Sequence, residues 1–162
     1  MASSFKLDKI DRKILEILQS NAKITNAQLS KDIGLSPAPT LERVKKLENQ
    51  GIITSYHAKL DLGKIGLGVS TFVQVSLKGH KKATTDLFLK EIEKINEVVE
   101  CHHMTGTADF VLKIVAKDME SYQKLMLEKV SEIEVVNTLE TNVILKTYKD
   151  SKVMPLPEQL EK

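Results

Sequence analysis

Two clusters of polar residues have types and spacings suited to chemistry. The first lies in TNAQLSKDIGLSPAPTLERVKKLENQ, residues 25–50, where Glu42, Arg43, Lys45 and Lys46 crowd one stretch. Arg43 is one of only two arginines among 24 basic residues. On an exposed helix face a guanidinium can contact guanine through two hydrogen bonds, worth about 1–3 kcal/mol of discrimination. The competing roles are a phosphate contact or a pair with an acidic neighbour. The second cluster is ECHHMTGTADF, residues 100–110. A glycine loop, Thr105-Gly106-Thr107-Ala108-Asp109, offers backbone N–H groups to a carboxylate, and Asp109 can receive an ammonium, which together suit a zwitterion. Without a ligand the same loop is a plain hairpin whose aspartate bonds its own backbone. Cys101-His102-His103 has metal-binding residue types but the wrong spacing, because neighbours on a strand point to opposite faces.

Each cluster needs a scaffold. Around the first, Thr25 and Gln28 fit a capping box at a helix start, Leu29 and Ile33 recur one turn apart, and Gly34 suits a left-handed helix end. Ser36 then serves as an N-cap with Pro37 at the first helical position. Leu41, Val44 and Leu47 are expected to face inward, with Pro39, Glu42, Arg43 and Lys46 on the opposite side. A capped helix, a glycine turn and a second helix with a cationic face make a helix-turn-helix, the second helix lying in a DNA major groove. Lys45 and Lys46 fit phosphate contacts, and Thr25, Ser36, Ala38 and Thr40 lie where they can approach backbone or bases. One such helix reads few base pairs, so at least a dimer on a two-fold site of double-stranded DNA is expected.

Composition sets outer bounds. The 162 residues are 41% hydrophobic and 28% charged, the values of an ordinary globular protein. Residues 1–60 hold ten Lys and Arg against six Asp and Glu, and the remainder fourteen against sixteen, so the positive charge sits on the part with the helix-turn-helix. One cysteine excludes an intramolecular disulfide framework. No run approaches the roughly 18 apolar residues of a membrane span, and a cytoplasmic location is expected. An enzyme is disfavoured, since no P-loop, dinucleotide fingerprint or nucleophile–base set is present. The chain has seven aromatics, and the third strand of the second domain offers only Phe110 for base stacking, which argues against an RNA-recognition module.

In chain order, Asp8 caps a first helix whose Leu7, Ile10, Ile14, Ile17 and Leu18 form an apolar stripe. Residues 1–60 thus make a three-helix, winged domain, with GIITSYHAKL as a short extended piece or wing. Residues 61–68, DLGKIGLG, hold three of the seven glycines and read as a linker. Beyond it the period changes. Val69, Thr71, Val73, Val75 and Leu77 alternate with Ser70, Phe72, Gln74 and Ser76, and the latter face suits a dimer interface. A helix over 85–95, strands at VVECHHM and DFVLKIVA, a helix capped by Asp118 and a long strand VVNTLETNVILKTYK complete β-α-β-β-α-β over 69–150, the ferredoxin-like arrangement of an α+β protein. Residues 151–162 read as a tail.

This combination resembles the Lrp/AsnC family of feast/famine regulators over about residues 7–149. The carrying motifs are LDKIDRKILEILQSNAKIT, LSPAPTLERVKKLENQGII and ECHHMTGTADFVLKI, the last matching E-C-H-x-x-[ST]-G-x-x-D-[YF]. The resemblance implies a DNA-binding transcription factor, without catalytic residues or a metal. Its C-terminal domain would mediate assembly into dimers and often octamers and would sense small molecules, usually amino acids. Effectors of the family bind between C-terminal domains near the loop after the second strand, here Met104 to Asp109, with Thr138, Glu140 and Thr141 of the last strand as the opposite wall. The family often has an acidic residue and an aromatic where this chain has Thr107 and Ala108, which makes the pocket less polar. A regulator whose C-terminal domain only assembles is the alternative.

Overall fold

The computed structural model describes residues 7–157 and divides the chain into two compact units. The first comprises α1 (Lys9–Ser20), α2 (Asn26–Ile33) and α3 (Pro37–Asn49). Asp8 caps α1 by accepting from the Ile10 and Asp11 N–H groups, both at 2.8 Å. Thr25 accepts from the Gln28 N–H at 3.1 Å, but the Gln28 amide reaches forward to Asp32 (2.7 Å), so the capping box forms one arm only. Gly34 ends α2 at φ 76°, a left-handed conformation that a Cβ would strain. Ser36 precedes α3 as expected, with Pro37 in its first turn, yet its hydroxyl makes no cap bond.

Ile14, Leu15, Leu29, Ile33 and Leu47 form the core of this unit, joined by Leu7, Ile10, Ile17, Leu18 and Val44. Leu41 departs from its expected inward position and is 44% exposed. Each three-residue step falls about 60° short of a full turn, so the two steps from buried Leu47 through half-buried Val44 carry Leu41 about 120° around the helix and out of the core. The run after Gly51 forms no strand, so the expected wing is an irregular segment, with Ile52 and Ile53 packed against the helices. Residues 151–162 were expected to be a tail and 149–150 to close the second domain; of these, 149–157 belong to this unit, Leu156 packs against its core, and 158–162 lie outside the described residues.

The second unit spans residues 59–148 and includes the glycine-rich run, which forms turns there rather than a separate linker. It holds β1 (Val69–Leu77), α4 (Lys82–Ile92), β2 (Val98–His103), β3 (Phe110–Ala116), α5 (Met119–Leu125, continued by a π turn to Val130) and β4 (Val136–Val143). The sheet is antiparallel in the order β2-β3-β1-β4, the ferredoxin-like topology. Alternation on β1 is as expected. Thr71, Val73, Val75 and Leu77 are buried with Phe88, Ile92, Phe110, Leu112, Ile114, Tyr122, Leu125 and Val130, while Phe72 on the other face is 40% exposed. Helix α4 begins three residues early and leaves Leu87 at its surface, and β4 stops at Val143 rather than Lys149. No described helix is long and apolar enough to cross a membrane.

Candidate functional site

Helix α3 carries the candidate nucleic-acid surface. Ala38, Glu42, Lys45 and Asn49 are exposed and recur at i, i+4, i+7 and i+11, a single stripe along the helix. Lys46 is exposed and Pro39 half-buried on one flank, and Ser36 is exposed ahead of the helix. The Asn26 amide donates to the Pro37 carbonyl (2.8 Å) and so ties the start of α3 to α2. Asn49 was missed from the sequence because it sits at the helix end; the eleven-residue spacing from Ala38 is the signal that finds it. Its amide can pair with an adenine edge.

Two expected contact residues turn inward. Thr40 is fully buried and its hydroxyl donates to the Ser36 carbonyl (2.9 Å), which leaves it nothing to offer a base. Arg43 lies on the side of α3 facing α1, where its guanidinium donates to Asp8 (2.6 Å) and Asp11 (2.7 Å). Asp11 is 3% exposed, so this is a charge held inside the unit by its partner. Arg43 therefore ties α3 to the start of α1 rather than occupying the outer stripe. Thr25 is exposed, with its oxygen engaged in the cap.

The opposite flank is apolar. Leu41 and the 47% exposed Tyr56 line a shallow hollow of about 170 Å³ with Leu18, Ile24, Leu29 and Val44. The Tyr56 hydroxyl donates to Glu48 (2.9 Å) and pins the irregular segment to α3. Burial and the Glu48 carboxylate push the phenol from its ordinary 10.0 to about 12. The folded value is raised, so the folded state retains a proton that the unfolded chain loses. Stability from this pair should be intact below pH 10 and fall between pH 10 and 12. Titration by tyrosinate absorbance should reveal one phenol ionising late, and Glu48→Gln should bring it earlier.

In the second unit the loop Met104–Asp109 joins β2 to β3. The Met104 N–H donates to the Asp109 carbonyl and the Asp109 N–H to the Val75 carbonyl, both at 2.9 Å. Gly106 has φ 123°, outside the range of other residues. Thr105, Gly106 and Thr107 are exposed, Met104 is 41% exposed, and Ala108 is buried. Asp109 accepts from the Leu77 N–H (2.8 Å) through one carboxylate oxygen, and its other oxygen lies 3.1 Å from Nδ1 of His80. It thus fastens the loop to the end of β1 instead of bonding its own turn or standing open for an ammonium. His80 comes from a distant loop, and nothing in its sequence context marked it.

The last strand divides between faces. Thr138 pairs with Ser76, whose hydroxyl donates to the Thr107 carbonyl (3.4 Å), so Thr138 shares a corner with the loop. Glu140 lies opposite Gln74 on the same helix-free face. Thr141 departs from the expected wall: it lies opposite Val73 on the helix-covered face, bonded to the Tyr122 hydroxyl (2.6 Å). His102 and His103 also part as their spacing requires. His103 stacks on Phe110 with centroids 4.8 Å apart, and His102 lies 3.4 Å from Glu100. Lys113 donates to Glu100 (2.9 Å) and, against the opposing effect of burial, holds that carboxyl below its ordinary range with help from His102.

With this geometry established, the likenesses to known proteins are specific. Residues 7–54 match a winged helix-turn-helix DNA-binding family, and residues 70–154 match the Lrp/AsnC ligand binding domain. The chain is 38% identical to the transcriptional regulator AzlB of Bacillus subtilis over 94% of its length and 97% of that protein's. It is 39% identical to the leucine-responsive regulatory protein of Escherichia coli K12, over 90% of this chain and 88% of that one. Among solved structures, a transcriptional regulator from Neisseria meningitidis in complex with L-Met superposes with a TM-score of 0.89 at 34% identity, covering 93% of this chain and 97% of that one. These relatives are regulators rather than enzymes, and both domains are matched in their order along the chain. The chain belongs to the Lrp/AsnC family of DNA-binding transcriptional regulators.

Proposed function

We propose that the protein reads operator DNA with the outer stripe of α3 and adjusts its assembly to an amino acid bound beside the Thr105–Thr107 loop. Ala38, Glu42, Lys45 and Asn49 face the major groove, with Ser36, Pro39 and Lys46 on the flank and Thr25 near the backbone. The observation that carries this reading is the continuous exposed stripe on a helix whose Thr40 and Arg43 are committed to the fold. Dimers form through the helix-free sheet face around Phe72, and dimers assemble further, up to an octamer. As a regulator of transcription it works in the cytoplasm, where the chromosome lies.

At the loop, exposed backbone and the hydroxyls of Thr105, Thr107 and Thr138 take the charged end of the amino acid, and Glu140 lies along the same face. Since Asp109 is engaged by Leu77 and His80, its part is to hold the loop in shape. The L-Met complex of the Neisseria regulator makes methionine the first ligand to test. A ligand changes the assembly only through its differential affinity for the two states.

Two measurements test these halves. With a duplex enriched from a random pool by the protein itself, Lys45→Ala should weaken binding and lower the slope of log K against log salt by about 1, as loss of a phosphate contact does. An unchanged affinity and slope would remove Lys45 from the interface. Thermal unfolding with L-methionine, then the other amino acids, should show a selective rise equivalent to about 2.7 kcal/mol at a hundredfold excess over Kd. No shift with any amino acid would instead indicate a regulator that only assembles.

A further inference from the structure

We infer that residues 149–157 are a working part of the DNA-binding unit, with Leu156 and Gln19 as positioning residues that hold the end of α1. By sequence this segment runs on from the ligand-binding domain, whose family match continues to residue 154. By contacts it belongs with the helix-turn-helix. Leu156 packs against the cluster of Ile14, Leu15, Leu29, Ile33 and Leu47. Gln19, in the last turn of α1, uses both ends of its amide on one peptide unit. Its Nε2 donates to the Met154 carbonyl (3.3 Å) and its Oε1 accepts from the Met154 N–H (2.5 Å). The side chain thereby satisfies an extended backbone as a neighbouring strand would.

The local sequence prepares the segment for this. Pro155 and Pro157 flank Leu156, fix φ on either side of it and reduce the freedom lost on docking. The Ser151 hydroxyl accepts from the Val153 N–H (3.2 Å) and turns the chain just before the contact. The gain is orientation of α1, which carries Asp8 and Asp11, the residues that hold Arg43 on α3. Loosening the end of α1 therefore reaches the reading helix through that ion pair. The inference rests on α3 being the helix that reads DNA.

The test uses the full chain, a chain ending at Asp150, and Leu156→Ser, Leu156→Met, Gln19→Ala and Lys45→Ala variants. Affinity for the selected duplex is measured over a range of salt, with sedimentation for assembly and hydrogen exchange for the α1 amides. The truncated chain and Leu156→Ser should bind about tenfold more weakly at fixed salt, with an unchanged salt slope, since no phosphate contact is lost. Their assembly should be unaltered and their α1 amides should exchange faster. Leu156→Met should restore affinity, and Gln19→Ala should show a smaller effect of the same kind. Wild-type affinity with unchanged α1 exchange in the truncated chain would overturn the proposal. If Lys45→Ala is silent, the assignment of α3 fails instead, and α1 exchange alone then decides whether the segment holds the helix.

Discussion

Replacing Arg43 with alanine should destabilise the first unit by roughly 3 kcal/mol, the lower end of the range for removing one partner of a buried ion pair. The lower end applies because the Arg43 side chain is 32% exposed, whereas that of Asp11 is only 4% exposed. Without the guanidinium, Asp11 is left as an uncompensated carboxylate inside the three-helix core. Asp8 contributes at the rim. Burial pushes its carboxyl up, but the Asp11 N–H, the Arg43 guanidinium and the Ile10 N–H outweigh that and hold it below the ordinary 3.8. Its folded value is depressed, so the stability from this pairing is present above pH 3.8 and is lost as pH falls through the lower folded value. The variant should therefore show a shallower acid limb in urea titrations at successive pH values. DNA binding should weaken with its salt slope intact, and Arg43→Ala with Asp11→Leu should recover much of the stability. A salt slope lowered by about 1, with stability unchanged, would identify Arg43 as a phosphate contact instead.

Phe88→Ala should destabilise the second unit by about 3–5 kcal/mol, as truncation of a fully buried phenylalanine does. Its ring is 0% exposed and lies 4.8 Å from the ring of Phe110, between α4 and the sheet. The two units have separate apolar cores, so calorimetry should show the transition of the ligand-binding unit falling while that of the DNA-binding unit stays near its original temperature. Affinity for an operator should fall as well, because binding to a two-fold site needs assembled protomers. Leu87, one position earlier but 36% exposed, is the control: its alanine variant should stay within about 0.5 kcal/mol of wild type. A single transition that moves as a whole would mean that the units unfold together.

The features legible in the sequence were those with short-range causes. Caps at Asp8, Thr25 and Asp118 follow from a side chain bonding an amide two or three residues on. Gly34 was readable because only a left-handed residue suits that helix end, and the β1 alternation because one face of a sheet must be dry. What escaped depended on partners far along the chain. Arg43 was read as a DNA contact, and any acidic partner was sought nearby, because Asp8 and Asp11, its actual partners, precede it by 35 and 32 residues. Asp109 was read as a ligand's ammonium partner, or as a turn residue bonding its own backbone, because Leu77 and His80 come from another strand end. The sides of β4 were assigned without its register, which sends Thr138 and Glu140 one way and Thr141 the other. Residues 149–157 have no period at all, and only packing reveals that Leu156 rests against the core.

The order of synthesis gives the interleaved domain boundaries a further meaning. Helices α1 to α3 leave the ribosome first, yet their apolar cluster is completed by Leu156, which emerges after all of residues 59–148. At about 5–20 residues per second, the nascent helix-turn-helix spends several seconds with that place on its surface uncovered. A chain broken off within the ligand-binding unit carries the whole of α3 but lacks Leu156, which packs against its core cluster. If Leu156 supports α1 as proposed, full affinity for DNA is delayed until the ligand-binding unit has been made.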